Sequence, residues 1–273
     1  MLQRWSPGDA TAMSHPAAST RTAVHGVDPR SDLMLRLRSV WVGKMLATSL
    51  GIGGFFVAYF WVLNHPQFTV TVMPLIWLDR MVDFRPEALP VYLSLWLYVS
   101  IAPALLKTGH ELLMYALAAF ALATTGLAIF VLFPTTVPEF AIDWSAHASI
   151  AFLKTVDVAV NACPSLHVAF ALFTAFWLDH LLREMRAGPL LRVLNGLWCV
   201  AIAYSTLATR QHVALDVIAG ALMGAAFALI HMRVARSLQA RRRSVISPAA
   251  SPGSSRPARL PPAAASRSPT PRG

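Results

Sequence analysis

The sequence predicts an all-α polytopic membrane protein, a bundle of six transmembrane helices, on three observations. Hydrophobic residues make up 56% of the 273 and charged residues only 13%, whereas soluble domains lie near about 45–50% and about 25%. Six apolar runs, at 41–63, 88–107, 111–133, 165–182, 190–209 and 212–234, have the roughly 17–25 residues that carry a helix across a bilayer. Lys and Arg, which outnumber Asp and Glu by 23 to 13, gather on one side of the resulting topology. The same composition excludes other classes. A net charge of +10 points to nucleic acid only when it forms a basic face on a soluble domain; here it lies mostly in the tails, and no nucleic-acid partner is expected. Two cysteines, Cys163 and Cys199, are too few for a disulfide framework or a zinc ribbon.

Residues 1–37, rich in Ser, Thr, Ala, Pro and Arg, show no periodicity and read as a disordered arm. The first apolar run follows Arg36 and Arg38 and ends at Asn64-His65-Pro66 without a small-residue cleavage site, so it is expected to stay in the membrane. Its Gly51, Gly53 and Gly54 would permit close helix packing. The stretch from Phe68 to Leu78 is apolar but too short to span, and it contains Pro74; it belongs at the interface or in a re-entrant piece. Ile142 to Val160, in the third loop, is amphipathic and suits a surface lid. Residues 235–273 carry Arg241, Arg242 and Arg243 and then a Pro/Ala/Ser/Arg mixture, a disordered basic tail within reach of anionic membrane lipid. The six-helix membrane domain is thus 38–234.

With both termini cytoplasmic, every Lys and Arg except Arg80, Arg85, Lys154 and Arg210 falls on the cytoplasmic side. The first, third and fifth loops then face outward. Ionisable groups at membrane depth are costly and default to functional hypotheses, and two clusters of them sit at outward helix ends. One is Asn161-Ala162-Cys163-Pro164-Ser165-Leu166-His167. Pro164 suits a first helical position, the helix N-terminus attracts an anion, Ser165 can donate to it, and His167 can deliver a proton. The other runs from Ser205-Thr206 through Arg210-Gln211-His212 to Asp216. The i, i+4 spacing puts His212 and Asp216 on one helix face, where the carboxylate can set the tautomer of a nucleophilic imidazole.

These residues resemble the type 2 phosphatidic acid phosphatase superfamily, in particular its inositolphosphotransferase-like branch. Pro164-Ser165-Leu166-His167 is similar to its Pro-Ser-x-His signature, and Ser205 with His212-x-x-x-Asp216 to its Ser-Arg-x(5)-His-x(3)-Asp signature. The resemblance covers about 40–234 and implies a helical bundle of that family's type. It also implies that His212 attacks phosphorus, Asp216 orients it and His167 protonates the leaving oxygen. Ser165, Leu166 and Arg210, with neighbouring backbone N–H groups, would hold the phosphate; no cofactor and no metal are implied. Thr206 stands where the family has arginine, and Arg210 is the expected substitute.

The function expected is a lipid-phosphate phosphatase, acting on phosphomonoesters or diphosphates through a phosphohistidine. Its partners would be a lipid phosphate substrate and membrane lipids, at the periplasmic or outer face of a bacterial inner (plasma) membrane. Two alternatives use the same residues: a lipid phosphotransferase resembling inositolphosphorylceramide synthase, and a non-catalytic binding protein or transporter. Hydrolysis versus transfer, the headgroup and the oligomeric state stay open.

Overall fold

The computed structural model describes residues 29–156 and 161–246. Helix α1 (Pro29–Arg38) leads into α2 (Trp41–Asn64), and strand β1 (Thr71–Val72) is followed by α3 (Trp77–Met81). A 3-10 turn at Pro86–Ala88 opens α4 (Leu89–Leu93) and α5 (Leu95–Ala104); then come α6 (Gly109–Leu132), β2 (Thr135–Thr136) and α7 (Ala148–Val156). The chain ends in α8 (Leu166–Glu184), α9 (Pro189–Ala208) and α10 (Ala214–Ile246). Helix starts follow local chemistry. Thr108 caps α6 by accepting from the Glu111 N–H at 3.2 Å, and Pro189, which has no N–H to waste, opens α9.

Among the described residues, five helical segments are long and apolar enough to cross a membrane: Trp41–Asn64, Pro86–Ala104, Gly109–Leu132, Pro189–Ala208 and Ala214–Ala235. Their outward faces expose Leu50, Val57, Leu97, Phe120, Val200 and Leu222, a density of bare hydrocarbon that water does not tolerate and lipid does. The chain is an integral membrane protein. The sixth expected span, α8, differs in kind. Its 19 residues include Asp179, His180, Arg183 and Glu184, and it is enclosed by protein, burying Phe173, Thr174, Trp177 and Leu181 among others. Five apolar helices therefore stand where six equivalent ones were expected, with a more polar helix packed among them.

The described structure also moves both expected tail boundaries. Residues 29–37, read as part of a disordered arm, lie in helix α1, because Arg36 is buried (1% exposed). Arg36 donates to the Asp32 carboxylate at 2.9 Å, to the Leu105 carbonyl at 3.1 Å and to Glu184 at 3.4 Å. Residues 235–246, read as tail, continue α10; the rest of both tails, 1–28 and 247–273, lies outside the described residues. The stretch from Phe68 to Leu78 supplies β1, which pairs in parallel with β2 through Thr71 with Thr135 and Val72 with Thr136. The expected lid is a docked helix: Ile150 of α7 is buried against Leu89 and Tyr92, and Lys154 lies over the Trp144 ring at 4.4 Å. The end of that stretch, 157–160, lies outside the described residues.

Two glycine sets behave in opposite ways. On α10, a Cβ at Gly220 would run into the Ser165 carbonyl and one at Gly224 into the Ala169 carbonyl, so α8 and α10 meet backbone to backbone. On α2, a Cβ at Gly51, Gly53 or Gly54 would meet nothing within 4 Å. The close packing expected of those three residues is absent, because Gly51 and Gly54 face an open space between α2 and α6 and nothing comes within 4 Å of a Cβ at Gly53.

Candidate functional site

The seam between α8 and α10 joins the two histidine clusters. Ser165 is the N-cap of α8, its Oγ accepting from the Val168 N–H at 3.3 Å. The helix therefore starts at Leu166, two residues after Pro164 and not on it, since Ser is the stronger capping residue. The Ser165 N–H donates to the Asp216 carbonyl at 2.9 Å, so the cap of one helix is tied to the first turn of the other. His167 follows, buried, with Nε2 2.8 Å from the Tyr92 carbonyl. A carbonyl can only accept, so Nε2 carries the hydrogen and Nδ1 is left for other chemistry. The ring lies flat on Tyr92, centroids 3.9 Å apart and planes 10° from parallel.

His212 sits in the turn between α9 and α10, which is a Schellman motif: Arg210 N–H donates to Leu207 O at 3.0 Å and Gln211 N–H to Thr206 O at 3.1 Å. Arg210 occupies the left-handed position, φ 57°, where glycine is usual. Its side chain accounts for the choice. The guanidinium donates to Asp79 O at 3.3 Å and Val82 O at 2.8 Å and lies over the Phe140 ring at 4.9 Å. Asp79 reciprocates: its Oδ1 accepts from the Ala214 N–H at 2.7 Å and its Oδ2 from the Ile76 N–H at 2.8 Å. The carboxylate thus caps α10 from a distant part of the chain and stabilises the positive end of its dipole.

Asp216, fully buried, accepts from the Val213 N–H at 3.0 Å, and its Oδ2 stands 3.5 Å from His212 Nδ1. That separation is within ion-pair range but does not meet hydrogen-bond geometry; such contacts are often loose without substrate and tighten when it binds. With Asp216 facing Nδ1, His212 Nε2 is the nitrogen left to react. Burial pushes the Cys163 thiol up to about 11, with the negative charge of Asp216 adding to the shift. Cys163 is therefore a thiol, not a thiolate, at neutral pH. Alkylation followed by mass spectrometry should label Cys163 slowly at pH 7 and faster as the pH approaches 11, and rapid labelling at pH 7 would refute the assignment.

Both imidazoles line one cavity of about 60 Å³, together with Tyr92, Trp96, Asn161 and Leu166. Since one water needs roughly 10–15 Å³ in this measure, the space suits a group of a few heavy atoms such as one tetrahedral anion. Ser165 and Arg210 do not line it; their polar atoms serve the cap and the α3 clasp. Among the described residues no Lys or Arg lines the cavity. Asn161 does; the sequence placed it at the head of the first cluster but gave it no role of its own. It is 4% exposed, and its Nδ2 has no hydrogen-bond partner among the described residues. Its backbone bridges to Thr135 beside β2, a tertiary placement that left no mark on the local sequence. The cap that Asp79 provides is likewise invisible in its local sequence, because its partner Ala214 is remote in the chain.

No curated protein and no solved structure matches the chain. Residues 108–239, which hold both histidine clusters, match the family model described as PAP2 superfamily, and that match supports the PAP2 superfamily for this chain.

Proposed function

We propose that the protein is a lipid-phosphate phosphatase of the membrane. The observation that carries this reading is that two imidazoles from separate helix ends share one cavity of ion size. His212 Nε2 attacks phosphorus, the bond from phosphorus to the lipid oxygen breaks, and His167 supplies that oxygen's proton. Water then attacks the phosphohistidine, giving its proton back to His167 and releasing phosphate. Because His167 Nε2 is engaged by Tyr92, the proton travels through Nδ1, which takes it from the incoming monoprotonated phosphate ester and passes it to the leaving oxygen. The reading takes α8 to cross beside the five apolar helices and both termini to be cytoplasmic, which opens the cavity to the outer face, where lipid headgroups lie.

Charge stabilisation in this site falls to dipoles. The Asn161 carboxamide and the Leu166 and His167 N–H groups at the start of α8, which have no partner within the helix, are the donors available to phosphate oxygens. Asn161→Ala should lower kcat/KM by about 10²-fold, the usual cost of one oxyanion donor, with the helical circular dichroism of the parent. Parent-like turnover by that variant would remove Asn161 from the site.

Transfer to a lipid alcohol is the second reading, favoured by the aromatic wall of Phe55, Phe56, Tyr59, Phe130 and Phe170, which limits the approach of water. One experiment addresses both. Purified protein is given a panel of lipid phosphates with and without alcohol acceptors, and inorganic phosphate and phosphodiester are measured in parallel. Phosphate release supports hydrolysis and a new diester supports transfer. Saturable binding without either product would replace both by a non-catalytic binding protein.

A further inference from the structure

Helices α2 and α6 run beside each other without filling the space between them. The facing stripe of α2 is Ala47, Gly51, Gly54 and Ala58, and α6 presents Ala116 and Ala119. Between them lies a chamber of about 410 Å³. Among the described residues no Lys, Arg, Asp or Glu lines it, and side chains at Gly51 and Gly54 would project into space empty to 4 Å. It adjoins the histidine cavity, because Phe55, Trp96 and Phe170 line both.

Resting on the phosphatase reading above, we propose that this chamber receives one hydrocarbon chain of the substrate while the phosphate lies between His167 and His212. Apart from the hydroxyls of Thr48, Tyr115 and Thr124 the wall is aliphatic and aromatic, a lining that suits an alkyl chain better than a polar ligand. From Ala47 to Ala58 the stripe runs about 16 Å at 1.5 Å per residue. A zigzag of C–C bonds of about 1.5 Å covers that length in about a dozen carbons. The substrate class is therefore a phosphate ester whose single chain is measured from the cavity, with any second chain left in the surrounding lipid.

The test compares dodecyl phosphate with butyl phosphate on the full chain and on Gly51→Leu, Gly54→Leu and Gly53→Leu. The last is the control, because Gly53 also has open space around it but does not line the chamber. The ratio of kcat/KM for dodecyl over butyl phosphate should fall about tenfold in the first two variants, as expected for hydrocarbon displaced from a fitted pocket, and hold in the third. In parallel, dodecyl phosphate with a diazirine at its chain end should label α6 between Ala116 and Ala123, and Gly51→Leu should suppress the labelling. An unchanged ratio, an equal fall in Gly53→Leu, or equal labelling by a diazirine dodecanol would overturn the proposal. Should the parent release no phosphate from either ester, the phosphatase reading fails, and the labelling result still decides the chamber.

Discussion

Replacing His212 by alanine is expected to lower phosphate release by at least about 10⁴-fold, the scale on which removal of a nucleophile is felt. The loss should lie in kcat, because the imidazole forms a bond that no neighbouring group can form. Asn161 and the start of α8 remain to bind the anion, so phosphate should still compete for the cavity. Folding should survive as well: His212 contributes a side chain at the cavity wall, whereas the turn that holds it is built by backbone bonds to Thr206 and Leu207. Asp216→Asn should act more mildly on the nucleophile but also weaken the bond to the Val213 N–H. The check is rapid-quench detection of acid-labile phosphoprotein, present in the parent and absent in His212→Ala. A variant that turns over within tenfold of the parent would sink the assignment.

Gly220→Val is the second substitution with a large expected effect. The first atom beyond the backbone would occupy the position of the Ser165 carbonyl, which is not a flexible side-chain tip that can swing away. Overpacking of this kind costs typically about 1–3 kcal/mol, and two helices must separate to relieve it. Separation pulls the Ser165 N–H from the Asp216 carbonyl and moves His167 relative to His212. Activity should therefore fall by at least about 10²-fold, since misplacement of about 1 Å has that consequence. The thermal midpoint should drop as well, while Ala226→Val, at an exposed position of the same helix, serves as the neutral comparison. An unaltered midpoint with full activity would show that the seam is not as tight as its geometry states.

What could be read from the sequence follows from what local patterns record. Apolar runs announce helices, and a histidine inside such a run is conspicuous because it is costly there, so His167 and His212 stood out. Residues whose roles depend on remote partners did not. Arg36 joins a helix because it reaches a carbonyl 69 residues away and a carboxylate 148 residues away; its own neighbourhood reads as a polar tail. Arg210 has the charge and position of a phosphate ligand, yet the Schellman turn points its guanidinium at the α3 segment. Asn161, an amide at the end of a loop, gained interest only once the fold buried it without a partner. The glycines of α2 show the same limit in reverse, since small residues permit either contact or emptiness and periodicity alone does not choose.

The bond between His167 and the Tyr92 carbonyl has a consequence for any attempt to pare the protein down. The stretch that carries the family match, 108–239, includes the reactive pair but omits Tyr92, Asp79 and the aromatic panel contributed by Phe55, Phe56 and Trp96. Excised, it would keep both histidines while losing the peptide group that dictates one tautomer and the carboxylate that secures the turn beside the other. The proposed catalytic module is consequently longer than the matched stretch, and a grafted or minimised version must bring the upstream half along.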